Sequence, residues 1–135
     1  MSLSNEQRKF TIAIGRLIVH ADSVGYTFRF GDAWRSTDNL KCPNTPGIFH
    51  TYQKLLFSNG KSKKEYGKHN DRLAIDFIIE RKDGQLMTDD DYRILGVWWE
   101  TTFEGNSRWG GRFDVLAENY TTKLGWDAGH FEWLV

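Results

Sequence analysis

The sequence predicts an α+β fold, and three observations carry that expectation. A helical hydrophobic period opens the chain, short strand-like runs lie in the middle and at the end, and the two types mix without regular βαβ alternation. A small antiparallel sheet flanked by helices is expected, as one domain over residues 1–135, because domains cluster at about 100–150 residues.

The elements follow in order. In residues 5–22, Phe10, Ala13, Ile14, Leu17 and Ile18 recur at spacings of three and four, which predicts a helix with Ser4 or Asn5 as its cap. Gly25 closes that segment. Tyr26, Phe28 and Phe30 then alternate with Thr27 and Arg29, the pattern of a strand with one aromatic face. Residues 36–47 hold both prolines and read as a loop, and a short helix is expected over about 48–57. A polar stretch over residues 58–72 follows, with Lys61, Lys63, Lys64, Lys68 and Arg72 against Glu65 and Asp71. Such a run is ordinarily a solvated loop; bordering a cleft, it would attract an anionic surface.

Leu73 to Ile79 is apolar apart from Asp76 and predicts a strand buried on both faces. Lys82-Asp83-Gly84 signals a turn. Thr88-Asp89-Asp90-Asp91 reads as the capped, acidic start of a helix over Tyr92 to Thr101, whose buried side would be Ile94, Leu95, Val97, Trp98 and Trp99. The last third is rich in Gly and Trp and ends in an alternating run, His130 to Val135, that reads as a strand.

Composition excludes several classes. Lys+Arg 18 against Asp+Glu 18 gives no net charge, which argues against a surface built to grip nucleic acid. The single cysteine, Cys42, excludes a disulfide framework and a multi-cysteine zinc ribbon. No apolar run reaches the roughly 20 residues of a membrane span. Phe10 to Val19 is interrupted by Arg16 and lacks a small-residue cleavage site, so neither membrane insertion nor a secretory signal is expected and the chain reads as cytoplasmic.

The chemistry concentrates at two places. Asp76 lies inside an apolar strand, and a buried carboxylate needs a strong partner, either a cation such as arginine or a metal. His69 stands seven residues earlier, an odd interval, so the two can meet only if His69 is on the loop leading in. Far along the chain, Asp127 and His130 are separated by Ala128-Gly129, which permits a tight turn. Two histidines and one carboxylate form the ligand set of an open zinc site, and a further carboxylate suits a general base. Pairing of Asp76 with an arginine, or its capping of a turn, is the purely structural alternative.

The run Lys68-His69-Asn70-Asp71-Arg72-Leu73-Ala74-Ile75-Asp76, followed by Asp127-Ala128-Gly129-His130, resembles two signatures of a peptidoglycan peptidase family. These are Ser-x-His-x-x-Gly-x-Ala-x-Asp and Asp/Glu-x-x-His. The family comprises zinc D-alanyl-D-alanine carboxypeptidases and dipeptidases and the phage L-alanyl-D-glutamate endopeptidase endolysins, and the ending Gly129 to Val135 resembles the endolysins most. Trp109-Gly110-Gly111-Arg112-Phe113 is similar to the family's Trp-Gly-rich strand before the last motif.

The resemblance implies a Hedgehog/DD-peptidase-like fold holding one zinc ion per chain on His69, Asp76 and His130. It implies Asp127 as the base that takes a proton from the attacking water. It also implies Arg35, in Ala33-Trp34-Arg35-Ser36, as the cation that polarises the scissile carbonyl, a role suited to a fixed guanidinium. Glu132 lies on the strand face of His130 and is a candidate to orient that ligand. The implied substrate is bacterial peptidoglycan, reached from the host cytoplasm with the help of a separate holin-type, membrane-permeabilising protein, and the chain is expected to act as a monomer. A carboxypeptidase or dipeptidase, and a non-catalytic zinc-stabilised domain of a wall-binding or phage-particle protein, are the alternative readings. Two positions depart from the signature: Gly67 stands where the family has Ser, and Arg72 where it has Gly.

The remaining features read as structural. His20 and His50 lack neighbours at ligand spacing, and Cys42 has no histidine motif beside it. Trp109, Trp126 and Trp133 flank the proposed site in sequence, with core packing the default for each.

Overall fold

The computed structural model describes residues 2–31 and 71–135. Among the described residues the chain runs α1 (Leu3–Ser23), β1 (Tyr26–Phe30), β2 (Ala74–Arg81), α2 (Asp89–Thr102), β3 (Ser107–Trp109) and β4 (His130–Trp133), with short 3-10 turns at Gly110–Arg112 and Ala117–Asn119. The strands form one sheet in the order β1-β2-β4-β3, every neighbouring pair antiparallel. This is the α+β arrangement that the sequence predicts. The expected loop over 36–47 and helix over 48–57 lie outside the described residues.

The α1 helix begins earlier than its periodicity suggests. Ser2, rather than Ser4 or Asn5, is the cap, and its hydroxyl accepts from the Asn5 amide at 3.2 Å. Phe10, Ala13, Ile14, Leu17 and Ala21 form its buried stripe, each large side chain worth about 1.5–3 kcal/mol of burial. Glu6 is buried as well: it accepts from the Trp133 indole N–H at 2.7 Å, tying the first turn of the chain to its last strand. That hydrogen bond, helped by Lys9 and opposed by burial, holds its carboxyl below the usual range.

The α2 helix starts as its acidic sequence requires. Thr88 and Asp91 form a reciprocal capping box, worth about 1 kcal/mol at such a site. Asp91 also accepts from the buried Tyr26 hydroxyl at 2.6 Å, fastening the helix to β1. The buried side is narrower than expected: Leu95 and Trp99 are fully buried and Trp98 is half-buried, stacked on His20 with centroids 4.2 Å apart, while Ile94 and Val97 are exposed. Gly96 explains the close approach of the sheet, because a Cβ there would lie 2.0 Å from the Trp109 ring.

Both helices cover one sheet face. Trp99 sits at its centre, 5.8 Å from Phe131, 6.1 Å from Phe10 and 6.2 Å from Trp133. Ile75, Phe77 and Ile79 supply β2 to the same core. The expectation that β2 is buried on both faces is corrected here: Asp76 is half-buried and Ile78 is 48% exposed, so the strand alternates. β4 shows the opposite departure. Its four residues are all buried, whereas Leu134 and Val135 lie beyond the strand and are exposed. An alternating sequence thus forms a strand enclosed on both sides, and what encloses the polar side is the candidate site.

Candidate metal centre

Strand register brings the two sequence motifs together. Asp76 and His130 are opposed residues in the β2–β4 ladder, which is closed on either side by Phe77 N–H to Gly129 O and Trp133 N–H to Leu73 O, both 2.8 Å. Directly opposed residues of an antiparallel pair share a face. This face lies opposite the core because Ile75 and Phe131, one position along, pair on the core side. Asp127 reaches the same point from the turn before β4, which the His130 N–H closes on the Asp127 carbonyl at 3.0 Å.

The His130 ring is buried and held by both nitrogens. Nδ1 lies 2.9 Å from Asp76 Oδ1 and 3.6 Å from Asp127 Oδ2, while Nε2 lies 2.8 Å from Glu132 Oε1. Burial alone would drive the imidazole towards its neutral form. The hydrogen bonds with Asp76 and Glu132 and the charges of Asp76 and Asp127 outweigh it, and the pKa rises to about 9. Three carboxylates around one imidazole therefore favour positive charge at this point.

Asp76, Asp127 and His130 each offer a ligand atom, and these atoms lie within 4.8 Å of one another, so the three can hold a divalent cation together. The donor set fits one. Oxygen and imidazole nitrogen suit zinc and similar metals, and the ring is turned as a ligand should be, Nδ1 towards the carboxylates and Nε2 anchored on a buried Glu132. With a metal bound, Nε2–H would donate to Glu132 and Nδ1 would give up its proton and present its lone pair. His69 and Arg35 lie outside the described residues, as do Cys42, His50 and the basic stretch up to residue 70.

The Trp109-Gly110-Gly111 segment supports this centre. Trp109 is buried and donates its indole N–H to the Ala128 carbonyl at 2.7 Å, inside the Asp127–His130 turn. Gly110 packs so closely on the same turn that a Cβ would lie 1.9 Å from the Asp127 carbonyl oxygen. Phe113, next along, stands 5.3 Å from the His130 ring and 5.4 Å from Trp126. Trp109 and Trp133 are core residues, whereas Trp126 is 51% exposed, its N–H held by Asp114 at 2.8 Å. From sequence alone Phe113 and Arg108 have no role. The signal for Arg108 is its place beside Trp109, at the start of the run Trp109-Gly110-Gly111-Arg112-Phe113.

Arg72 has a backbone reason to be noticed. Its φ is +59°, the left-handed region that favours glycine, at the position where the resembled signature has Gly. In this chain a bulky residue makes that bend.

No family model and no curated protein matches the sequence. Among solved structures, the chain is similar to the Serratia marcescens L-Ala D-Glu endopeptidase ChiX, with a TM-score of 0.55 and 19% identity over 88% of this chain and 76% of that one. The likeness is one of fold: the small α+β architecture described above is shared with that endopeptidase.

Proposed function

We propose that the chain is a zinc-dependent peptidase of the Hedgehog/DD-peptidase type that hydrolyses peptide bonds in the stem peptides of bacterial peptidoglycan, with the L-alanyl-D-glutamate bond as its target. The observation that carries this reading is the convergence of Asp76, Asp127 and a carboxylate-anchored His130 at one point of the sheet, in a fold similar to that of an L-Ala D-Glu endopeptidase.

In this account Asp76 and His130 hold the metal and His69 completes the set. When bound, zinc supplies Lewis acidity, polarising the carbonyl and acidifying water. Asp127, at the rim of the cluster and more exposed than His130, accepts the proton of the attacking water and returns it to the leaving amine. Glu132 fixes the imidazole through Nε2, so that the ring cannot turn its lone pair away. Arg35 stabilises the negative charge that develops on the carbonyl oxygen.

The resemblance to phage endolysins extends the proposal: a monomer made in a host bacterium, active on the wall once a holin-type protein has opened the membrane. Among the described residues no helix is long and apolar enough to cross a membrane.

Digestion of purified peptidoglycan followed by mass spectrometry tests the reading. New termini at L-Ala and D-Glu are expected. Release of D-Ala instead would make it a carboxypeptidase, and an unchanged digest would leave a non-catalytic domain.

A further inference from the structure

Arg108 sits in the middle of β3 between Ser107 and the buried Trp109, so its side chain leaves the sheet on the face away from the core. Its opposed residue in the β3–β4 ladder is Glu132, which places it on the face where Glu132 holds His130. The guanidinium lies over the Phe113 ring, with Cζ 4.5 Å from the centroid. Among the described residues, the rings of His130 and the exposed Trp126 also pack against it. Phe113 is therefore a wall shared by the metal centre and the arginine.

Arg108 is exposed, and no carboxylate pairs with it among the described residues. Arg29, Arg81, Arg93 and Arg112 differ in this respect, each being paired with an acidic side chain. A guanidinium stacked by its face keeps its N–H edge outward, and that edge matches a carboxylate in bidentate fashion. The gap from Arg108 to the imidazole is bridged by one aromatic ring, and an extended peptide at about 3.5 Å per residue crosses it in two or three residues.

The geometry points to Arg108 as a specificity residue that binds a free carboxylate of the peptide substrate within three residues of the scissile bond, over an apolar floor of Phe113 and Trp126. This rests on the peptidase reading above and names the substrate class more closely: an acidic peptide, recognised at a fixed distance from the metal.

The test is steady-state hydrolysis of a synthetic stem tetrapeptide and of its singly amidated forms by the zinc-loaded protein. For the wild type, one amidation raises KM about tenfold, the worth of a charge-assisted hydrogen bond, with kcat little changed. Arg108→Gln raises KM on the unmodified peptide by the same factor and no longer senses that amidation, while Arg108→Lys restores part of the preference. Indifference of the wild type to every amidation overturns the inference and leaves the peptidase reading intact. So does an Arg108→Gln variant with unchanged KM, or one that loses kcat equally on all forms, as a merely structural role for the stack requires. If the wild type hydrolyses none of the peptides, the peptidase reading fails and the inference falls with it.

Discussion

Asp76 Oδ1 and His130 Nδ1 lie 2.9 Å apart although 53 residues separate the two positions in sequence, because β2 and β4 pair in the one register that opposes them. A slip of one residue would turn either side chain into the core, where Ile75, Phe77 and Phe131 now pack. The hydrophobic pattern that builds the core therefore also builds the polar cluster on the other face.

Glu132 is expected to act through His130. Glu132→Gln keeps the size of the side chain and an acceptor for Nε2–H but removes the charge, and should weaken zinc binding about tenfold or more. A competition titration against a chromophoric chelator reads this directly. Unchanged affinity would make Glu132 a structural carboxylate only.

Asp127 is placed both to bind metal and to move protons, and one variant separates the roles. Asp127→Ala should retain zinc within a few-fold and lose hydrolysis by at least about a hundredfold, the usual contribution of a general base. Loss of the metal would show that Asp127 is a ligand; full activity would mean another base.

How far the sequence was legible depended on whether a signal was local. The acidic N-terminus of α2 was readable because Thr88 and Asp91 cap within one turn. The pairing of Asp76 with His130 needed the two motifs to be taken together, since nothing in either stretch sets the β2–β4 register. Ile94 and Val97 misled: they are apolar and at helical spacing, yet the sheet reaches α2 only along Leu95, Gly96 and Trp99. Arg108 was silent because a charged residue beside a buried tryptophan looks like any edge-strand arginine until Phe113 and the ladder with Glu132 are known.

Gly96 should be intolerant of even one methyl group. Alanine would raise helix propensity by about 1 kcal/mol, but its Cβ would meet the Trp109 ring at 2.0 Å, and overpacking of this kind costs about 1–3 kcal/mol. Gly96→Ala should therefore lower the stability measured by urea unfolding. Because Trp109 also braces the Asp127–His130 turn, it should weaken zinc binding as well. A stabilised variant would refute the packing account.

The Tyr26–Asp91 hydrogen bond predicts pH dependence at both ends of the scale. The bond to Tyr26, followed by the Thr88 amide, holds the Asp91 carboxyl below its ordinary value of 3.8, so its contribution is present above about pH 4 and is lost as the pH falls through the lowered folded value. Burial, and then Asp91, push the Tyr26 phenol up to about 12, so its contribution is complete below about pH 10 and is lost as the pH rises from 10 towards 12. Tyr26→Phe should cost about 1.5 kcal/mol at neutral pH. Stability curves of variant and wild type should converge in strong alkali, and a constant difference up to pH 12 would contradict the assignment.

Zinc titration of the metal-free protein by calorimetry, in parallel with Asp76→Ala and His130→Ala, addresses the centre itself. About one zinc per chain is expected, the stoichiometry of a mononuclear site, with binding lost or strongly weakened in both variants. Absence of zinc binding at neutral pH, or undiminished binding in His130→Ala, would contradict it.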